Sequence, residues 1–172
     1  MLNNPLDMFT MSIQDVRSHF RSLLPVYQED KHYMVLKGDI PVVLVAHMDT
    51  VPMGWRGGFP PYIHSHPQRS EVFIAPHTGL GADDRAGCLG IEILLSHGHR
   101  PWVILTDLEE CGGVGAQELV IDIPSKPHDF YFMIQLDRHG YNDAVFYDMN
   151  TLYGEGKQFC KKVESYGFAE DT

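Results

Sequence analysis

The stretch "VVLVAHMDTVP", residues 42–52, decides how the fold is read. Its first four residues, Val42 to Val45, are apolar at every position, which suits a strand covered on both faces rather than one with alternate residues in water. The run ends in His47, and Asp49 follows two positions later. Side chains repeat every second residue in extended chain, so these two stand on the same side. Open α/β sheets collect their chemistry at the carboxyl ends of central strands, and a carboxylate beside an imidazole can hold its tautomer.

Upstream, "MSIQDVRSHFRSLL" places Ile13, Val16, Phe20, Leu23 and Leu24 near one helical face, with Ser12 and Asp15 at capping-box spacing and Pro25 as the stop. "HYMVLKGDIPVVLVAH" predicts a hairpin turning at Lys37-Gly38-Asp39, with the quoted run as its second strand. Pro52 to Gln68 is rich in Gly, Pro and His and has no period, so a loop is expected. "EVFIA" reads as a short strand, and "DDRAGCLGIEILLSHG" as a helix starting just after Asp83, with Cys88, Ile91, Leu94 and Leu95 on one face. "WVILTD", "DFYFMIQLD" and "DAVFYD" follow as strands, with "GVGAQELV" a short helix after the first of them. "GKQFCKKVESYGF" carries Phe159, Val163 and Tyr166 at helical spacing. Strands alternating with helices predict an α/β fold, a three-layer sandwich whose mixed, mostly parallel central sheet lies between helices.

At 172 residues the chain is sized for one domain. Thirteen basic against 23 acidic residues leave a net charge of −10, which argues against a nucleic-acid partner. No apolar run approaches the roughly 20 residues of a membrane span, and the N-terminus lacks the basic and apolar regions of a signal peptide. A cytoplasmic protein with no membrane partner is expected. Cys88, Cys111 and Cys160 are odd in number and widely spaced, so neither a disulfide framework nor a zinc finger is indicated.

The ends of the predicted strands deliver the same kind of group in turn: His47 and Asp49, then Asp83 and Asp84, then Glu109 and Glu110, then Asp137. Each has an ordinary structural reading. His47 with Asp49 can be a hydrogen-bonded pair, Asp83 a helix N-cap, "LEECGG" a solvated turn and Asp137 a turn former. Carboxylates gathered at one sheet edge repel one another, however, and a protein that groups them needs a cation. Imidazole with carboxylates and no thiolate suits zinc, manganese or cobalt. "GLGADDRAG" is not a dinucleotide loop, because Asp84 stands where the third glycine belongs and two aspartates would repel a pyrophosphate. No G-x-S-x-G elbow and no P-loop occurs.

Together "AHMDTVP", "GLGADDRAG", "LTDLEECGGVGA" and "IQLDRHG" resemble the di-zinc exopeptidase superfamily of aminopeptidases, tripeptidases and related metallohydrolases, over about residues 40–150. The resemblance implies a two-metal hydrolase of terminal peptide bonds or related amides in small substrates. It implies His47, Asp83, Glu110 and Asp137 as metal ligands, with Asp83 bridging. It implies Glu109 as general base and Asp49 as the group that orients His47. Two zinc ions, or manganese or cobalt in their place, are the implied cofactors.

The sequence departs from the family in two places. "TDLEE" has one residue more than the usual Asp-Glu-Glu, which puts Asp107 out of step. The family's last ligand, a histidine near the C-terminus, has no counterpart after His139. His77 and His139 are the nearest substitutes in sequence. The expectation is a single catalytic domain over residues 1–172, lacking its C-terminal segment and any lid or dimerisation domain. Its rival is a metal-binding but catalytically incompetent fragment or pseudoenzyme with an interaction role.

Overall fold

The computed structural model describes residues 2–50, 63–65, 72–74, 82–122, 130–137, 143–146 and 155–170. They form two compact units, residues 1–137 and 138–172. The first opens with a 3-10 helix over Pro5–Phe9 and then α1, Ile13–Leu23. The capping box forms as its spacing predicts: Ser12 Oγ accepts the Asp15 N–H, and Asp15 Oδ2 accepts the Ser12 N–H, both at 3.1 Å. Val16 and Phe20 are buried, and Pro25 follows the last turn.

Next come β1 (Val26–Glu29), β2 (Tyr33–Leu36) and β3 (Ile40–His47), then a small antiparallel pair of β4 (Ile63–Ser65) with β5 (Val72–Ile74). The unit is completed by α2 (Ala82–Ser96), β6 (Pro101–Thr106), α3 (Val114–Asp122) and β7 (Phe132–Gln135). The main sheet has the order β1-β2-β6-β3-β7. Its β1-β2 and β2-β6 pairs are antiparallel, and its β6-β3 and β3-β7 pairs are parallel. The predicted α/β class with a mixed sheet, parallel at its centre, is therefore what the chain adopts.

The predicted hairpin between β2 and β3 does not form, because β6 lies between them. Burial explains the insertion. All four residues of β2 are buried, as are Val103, Ile104 and Leu105 of β6, and only strands with neighbours on both sides and cover on both faces bury them all. Each such side chain contributes about 1.5–3 kcal/mol when fully buried. A short local turn cannot compete with that. The Lys37–Asp39 turn instead packs on the start of β6: Asp39 N–H donates to the Arg100 carbonyl at 2.7 Å, and a Cβ on Gly38 would overlap the Pro101 backbone.

The two faces of the sheet carry separate cores. Met34, Leu36, Leu44, Ala46, Val103 and Leu105 meet the 3-10 helix, α1 and α2 on one face, while Tyr33, Val35, Val43 and Ile104 meet Leu119 of α3 on the other. The alternation follows strand parity and produces three layers. On α2, Cys88, Ile91 and Leu95 are buried as predicted, but Leu94 is 38% exposed. Its place on the helix lies one step of about 100° from Leu95, beyond the stripe that α2 buries.

β4 and β1 were not foreseen; β4 falls within the stretch expected to be loop, and the rest of Pro52–Gln68 lies outside the described residues. In the second unit, β8 (Asp143–Ala144) pairs in parallel with β9 (Ala169–Glu170), and α4 spans Glu155–Ser165. Tyr166 sits just past α4 and is exposed, with Lys162 Nζ 5.2 Å from its ring centre. Among the described residues no helix is long and apolar enough to cross a membrane.

Candidate metal centre

Because β3, β6 and β7 run parallel, their carboxyl ends share one edge of the sheet. His47 ends β3 opposite Thr106 of β6, and Asp137 lies two residues beyond β7. The turn between β6 and α3 carries Glu109 and Glu110. Asp83 and Asp84 arrive differently from the strand-end position expected of them, at the start of α2. Both have non-helical backbone angles, so the regular helix begins at Arg85.

Asp84 rather than Asp83 is the helix cap. Asp84 Oδ1 accepts the Gly87 N–H at 2.9 Å, and Oδ2 accepts the His47 N–H at 3.2 Å. One buried carboxylate thereby ties the end of β3 to the first turn of α2. Gly87 permits the approach, since a Cβ there would collide with both Asp84 oxygens and the Leu136 carbonyl. Burial raises the Asp84 carboxyl to about 7 despite those two donors. The sequence signal for this role was present in the Asp-x-x-Gly spacing of an N-cap and its third helical residue.

His47 is buried and meets oxygen on both sides. Its Nδ1–H donates to the Asp49 carbonyl at 3.1 Å, with Asp49 Oδ1 at 3.3 Å. Its Nε2 lies 3.2 Å from Asp83 Oδ1 and 3.9 Å from Glu109 Oε2. With Nδ1 as donor, Nε2 of the neutral ring is a lone pair facing carboxylates, so that nitrogen must bear either a proton or a cation. Burial pushes the His47 pKa down, but Asp49, Asp84, Asp137 and Glu109 outweigh it and raise the net value. Asp83 is 72% exposed in its side chain and approaches His47 from the solvent side.

Asp49 does more than face the imidazole. Its Oδ1 accepts the Glu109 N–H at 3.1 Å and its Oδ2 the Glu110 N–H at 3.2 Å. Asp107, out of step in the motif, is buried and folds back to accept the Leu108 N–H at 2.8 Å. The Glu110 carboxyl is raised by its loss of hydration and by neighbouring Asp83.

Among the described residues two groups each bring their donor atoms within 4.8 Å of one another: His47 with Asp84 and Asp137, and His47 with Glu109 and Glu110. The predicted residues His47, Asp137 and Glu110 thus fall into these groups, together with Glu109. Asp83 enters through its contact with Nε2, and Asp84 was not foreseen in a donor set. This set of one imidazole and several hard oxygen donors fits zinc, manganese or cobalt. The close pairing of Nε2 with Asp83 Oδ1, two acceptors in the neutral site, is the feature a cation would relieve. His77 and His139 lie outside the described residues. His97 donates from Nδ1 to the Ile93 carbonyl, at the opposite end of α2 from Asp83 and Asp84.

No family model and no curated protein matches the chain. Among solved structures it is similar to a tripeptidase from Staphylococcus aureus subsp. aureus Mu50, with 22% identity and a TM-score of 0.59. The match covers 80% of this chain and 43% of the tripeptidase, so the chain spans less than half the length of that protein. A likeness at this identity is one of fold.

Proposed function

We propose that the chain is a metal-dependent hydrolase acting on terminal peptide bonds or related amides in small substrates, through a pair of metal ions. The observation that carries the proposal is the facing of His47 Nε2 with Asp83 and Glu109 at the carboxyl edge of the sheet, while Asp49 occupies Nδ1. His47, Asp83, Glu110 and Asp137 would hold the metal ions, and zinc is the ion that best suits the donors. Asp84 contributes less as a donor because both its oxygens already accept backbone N–H groups. When bound, such ions supply Lewis acidity and lower the pKa of water to about 7.

The remaining work falls to side chains of this chain. Asp49 keeps the proton of His47 on Nδ1, so that Nε2 offers its lone pair. Glu109, exposed beside Nε2, takes a proton from the attacking water on its carboxylate and returns it to the leaving amine. Glu109 must stay near the ligands without being consumed as one. The tripeptidase with a similar fold is consistent with a small peptide as substrate.

Elemental analysis of the zinc-loaded protein, with turnover on dipeptides, tripeptides and aminoacyl amides, tests the reading. Retained zinc in the wild type, reduced zinc in His47→Ala and Asp83→Asn, and chelator-sensitive hydrolysis are expected. Equal metal content in all three proteins would remove the ligand assignment. Zinc binding without turnover on any of the panel would leave a binding role in place of the hydrolase.

A further inference from the structure

We infer that Asp49 is the positioning residue of the Glu109–Glu110 turn, setting where both glutamates stand relative to His47. Its two carboxylate oxygens are divided between two consecutive backbone N–H groups, those of Glu109 and Glu110. The same Oδ1 lies 3.3 Å from His47 Nδ1. One buried side chain therefore joins the imidazole at the end of β3 to a turn sixty residues later in the chain.

The turn needs this anchor because its conformation is unusual. Leu108 has φ +57° without being glycine, and Gly112 and Gly113 also have positive φ, so the backbone reverses tightly around the glutamates. Both ends are pinned. Asp107 N–H donates to the His32 carbonyl at 2.8 Å, and Gly115 N–H donates to the Asp107 carbonyl at 3.0 Å. A Cβ on Gly115 would overlap the His32 carbonyl, so the first turn of α3 sits directly on the β1–β2 connection. A second contact holds the helix there: His32 Nδ1 lies 2.9 and 3.0 Å from the two Glu118 carboxylate oxygens. Between those ends the Glu109 and Glu110 N–H groups point into the protein toward Asp49, which leaves the glutamate side chains on the open side; both residues are exposed.

An aspartate is required at this place. Asparagine presents one acceptor oxygen and one amino group, so it can satisfy one N–H and must oppose the other. The meaning of the contact rests on the reading of Glu109 as base and Glu110 as ligand, whereas the contact itself does not.

The test is amide hydrogen exchange by NMR on the full chain, in the wild type, Asp49→Asn and His47→Ala. In Asp49→Asn the Glu109 and Glu110 amides should exchange about ten- to a hundredfold faster, as expected for losing hydrogen bonds to a charged acceptor, while β3 and α2 amides keep their protection. His47→Ala should leave the two amides protected. Wild-type exchange rates at both amides in Asp49→Asn would overturn the inference and leave Asp49 acting on His47 alone. Should Asp49→Asn not fold, the through-hydrogen-bond coupling between the two amide nitrogens and Asp49 Cγ in the wild type gives the same answer, and its absence overturns the inference. Calorimetric titration of the wild type with zinc runs alongside. Failure to bind zinc would end the metal-centre reading while leaving the exchange result, and the positioning of the turn, intact.

Discussion

Two charge clusters in the first unit are built from similar side chains and balanced in opposite ways. Between α1 and the β1–β2 hairpin, Arg17 and Arg21 both bond the Glu29 carboxylate, and Arg17 also donates to the carbonyls of Asp30, Lys31 and Tyr33. At the carboxyl edge of the sheet, Asp49, Asp83 and Glu109 have only His47 as ion-pair partner among the described residues. Arg85, in the first turn of α2, is buried, donates to the Met8 carbonyl, and has its pKa lowered by loss of hydration. The first cluster satisfies its charges from within and holds the hairpin to the helix. The second holds more carboxylates than cationic partners among the described residues. Buried charge that is fully paired is structural; charge left over at a strand edge is available for chemistry.

The comparison breaks first if the glutamates of the second cluster are inert. Glu109→Gln should lower turnover by about 10²- to 10⁴-fold with zinc retained, as removal of a general base does. Glu110→Gln should instead reduce zinc content, and the reverse pattern would exchange the two roles. Kinetics paired with elemental analysis decides between them.

In the first cluster, Arg17→Ala removes one of the two guanidinium partners of Glu29 and the side-chain donor to the Asp30 and Lys31 carbonyls, while Arg21 stays on Glu29 and the Asp30 N–H stays on the Tyr33 carbonyl. A loss of about 1.5–3 kcal/mol in unfolding free energy is expected, the scale of hydrogen bonds to a charged group, because Glu29 is half-buried and keeps Arg21. Chemical denaturation measures it. A loss within experimental error would mean that the hairpin is held by its apolar residues alone.

A smaller effect separates the clusters by pH. Burial pushes the Glu29 carboxyl up, but hydrogen bonds from Arg21 and Arg17 outweigh burial and hold it below the usual carboxylate range. A carboxyl depressed in the folded state binds fewer protons there than in the unfolded chain. Its contribution is present above the unfolded value of about 4.3 and is lost as pH falls through the lower folded value. Glu29→Gln should therefore flatten the acid side of the stability profile, measured as the denaturation midpoint against pH. An unchanged acid limb would remove Glu29 as its source.

The smallest expected effect is a difference in labelling within the second cluster. Burial, with the Asp84 carboxylate nearby, pushes the Cys88 thiol to about 12, and its S–H donates to the His47 carbonyl at 3.5 Å. Cys111, in the glutamate turn, is exposed. A thiol reagent at neutral pH should modify Cys111 readily and Cys88 only after unfolding, with no loss of stability in the singly labelled protein. Peptide mapping reads the sites. Fast labelling of Cys88 would show that the floor beneath His47 opens.

Much of this was legible in local pattern. The Ser12–Asp15 cap and the buried stripe of α1 follow from spacing along one helix, and the apolar run into His47 predicts a central strand. The placement of β6 between β2 and β3 was not legible, because a turn at Lys37–Asp39 reads as a hairpin whether or not a later strand enters the gap. Leu94 misled for a related reason: its neighbours share its hydrophobicity, and only the surface that α2 meets decides which of them it covers.

At the site, residue types determined the chemistry available: one imidazole, an excess of carboxylates, and no nucleophilic serine elbow or phosphate loop. Types and spacing could not decide which oxygen faces which donor. Asp83 and Asp84 are adjacent and chemically identical in the sequence, yet one lies open beside Nε2 and the other is buried under two backbone N–H groups. Asp49 likewise reads as a partner of His47 from two-residue spacing alone, and its hold on the Glu109 and Glu110 amides exists only once β6 is laid beside β3. The physical reason is range. Side-chain chemistry and local periodicity are carried by residues a few positions apart, whereas backbone N–H groups acquire their acceptors from whichever segment burial brings alongside.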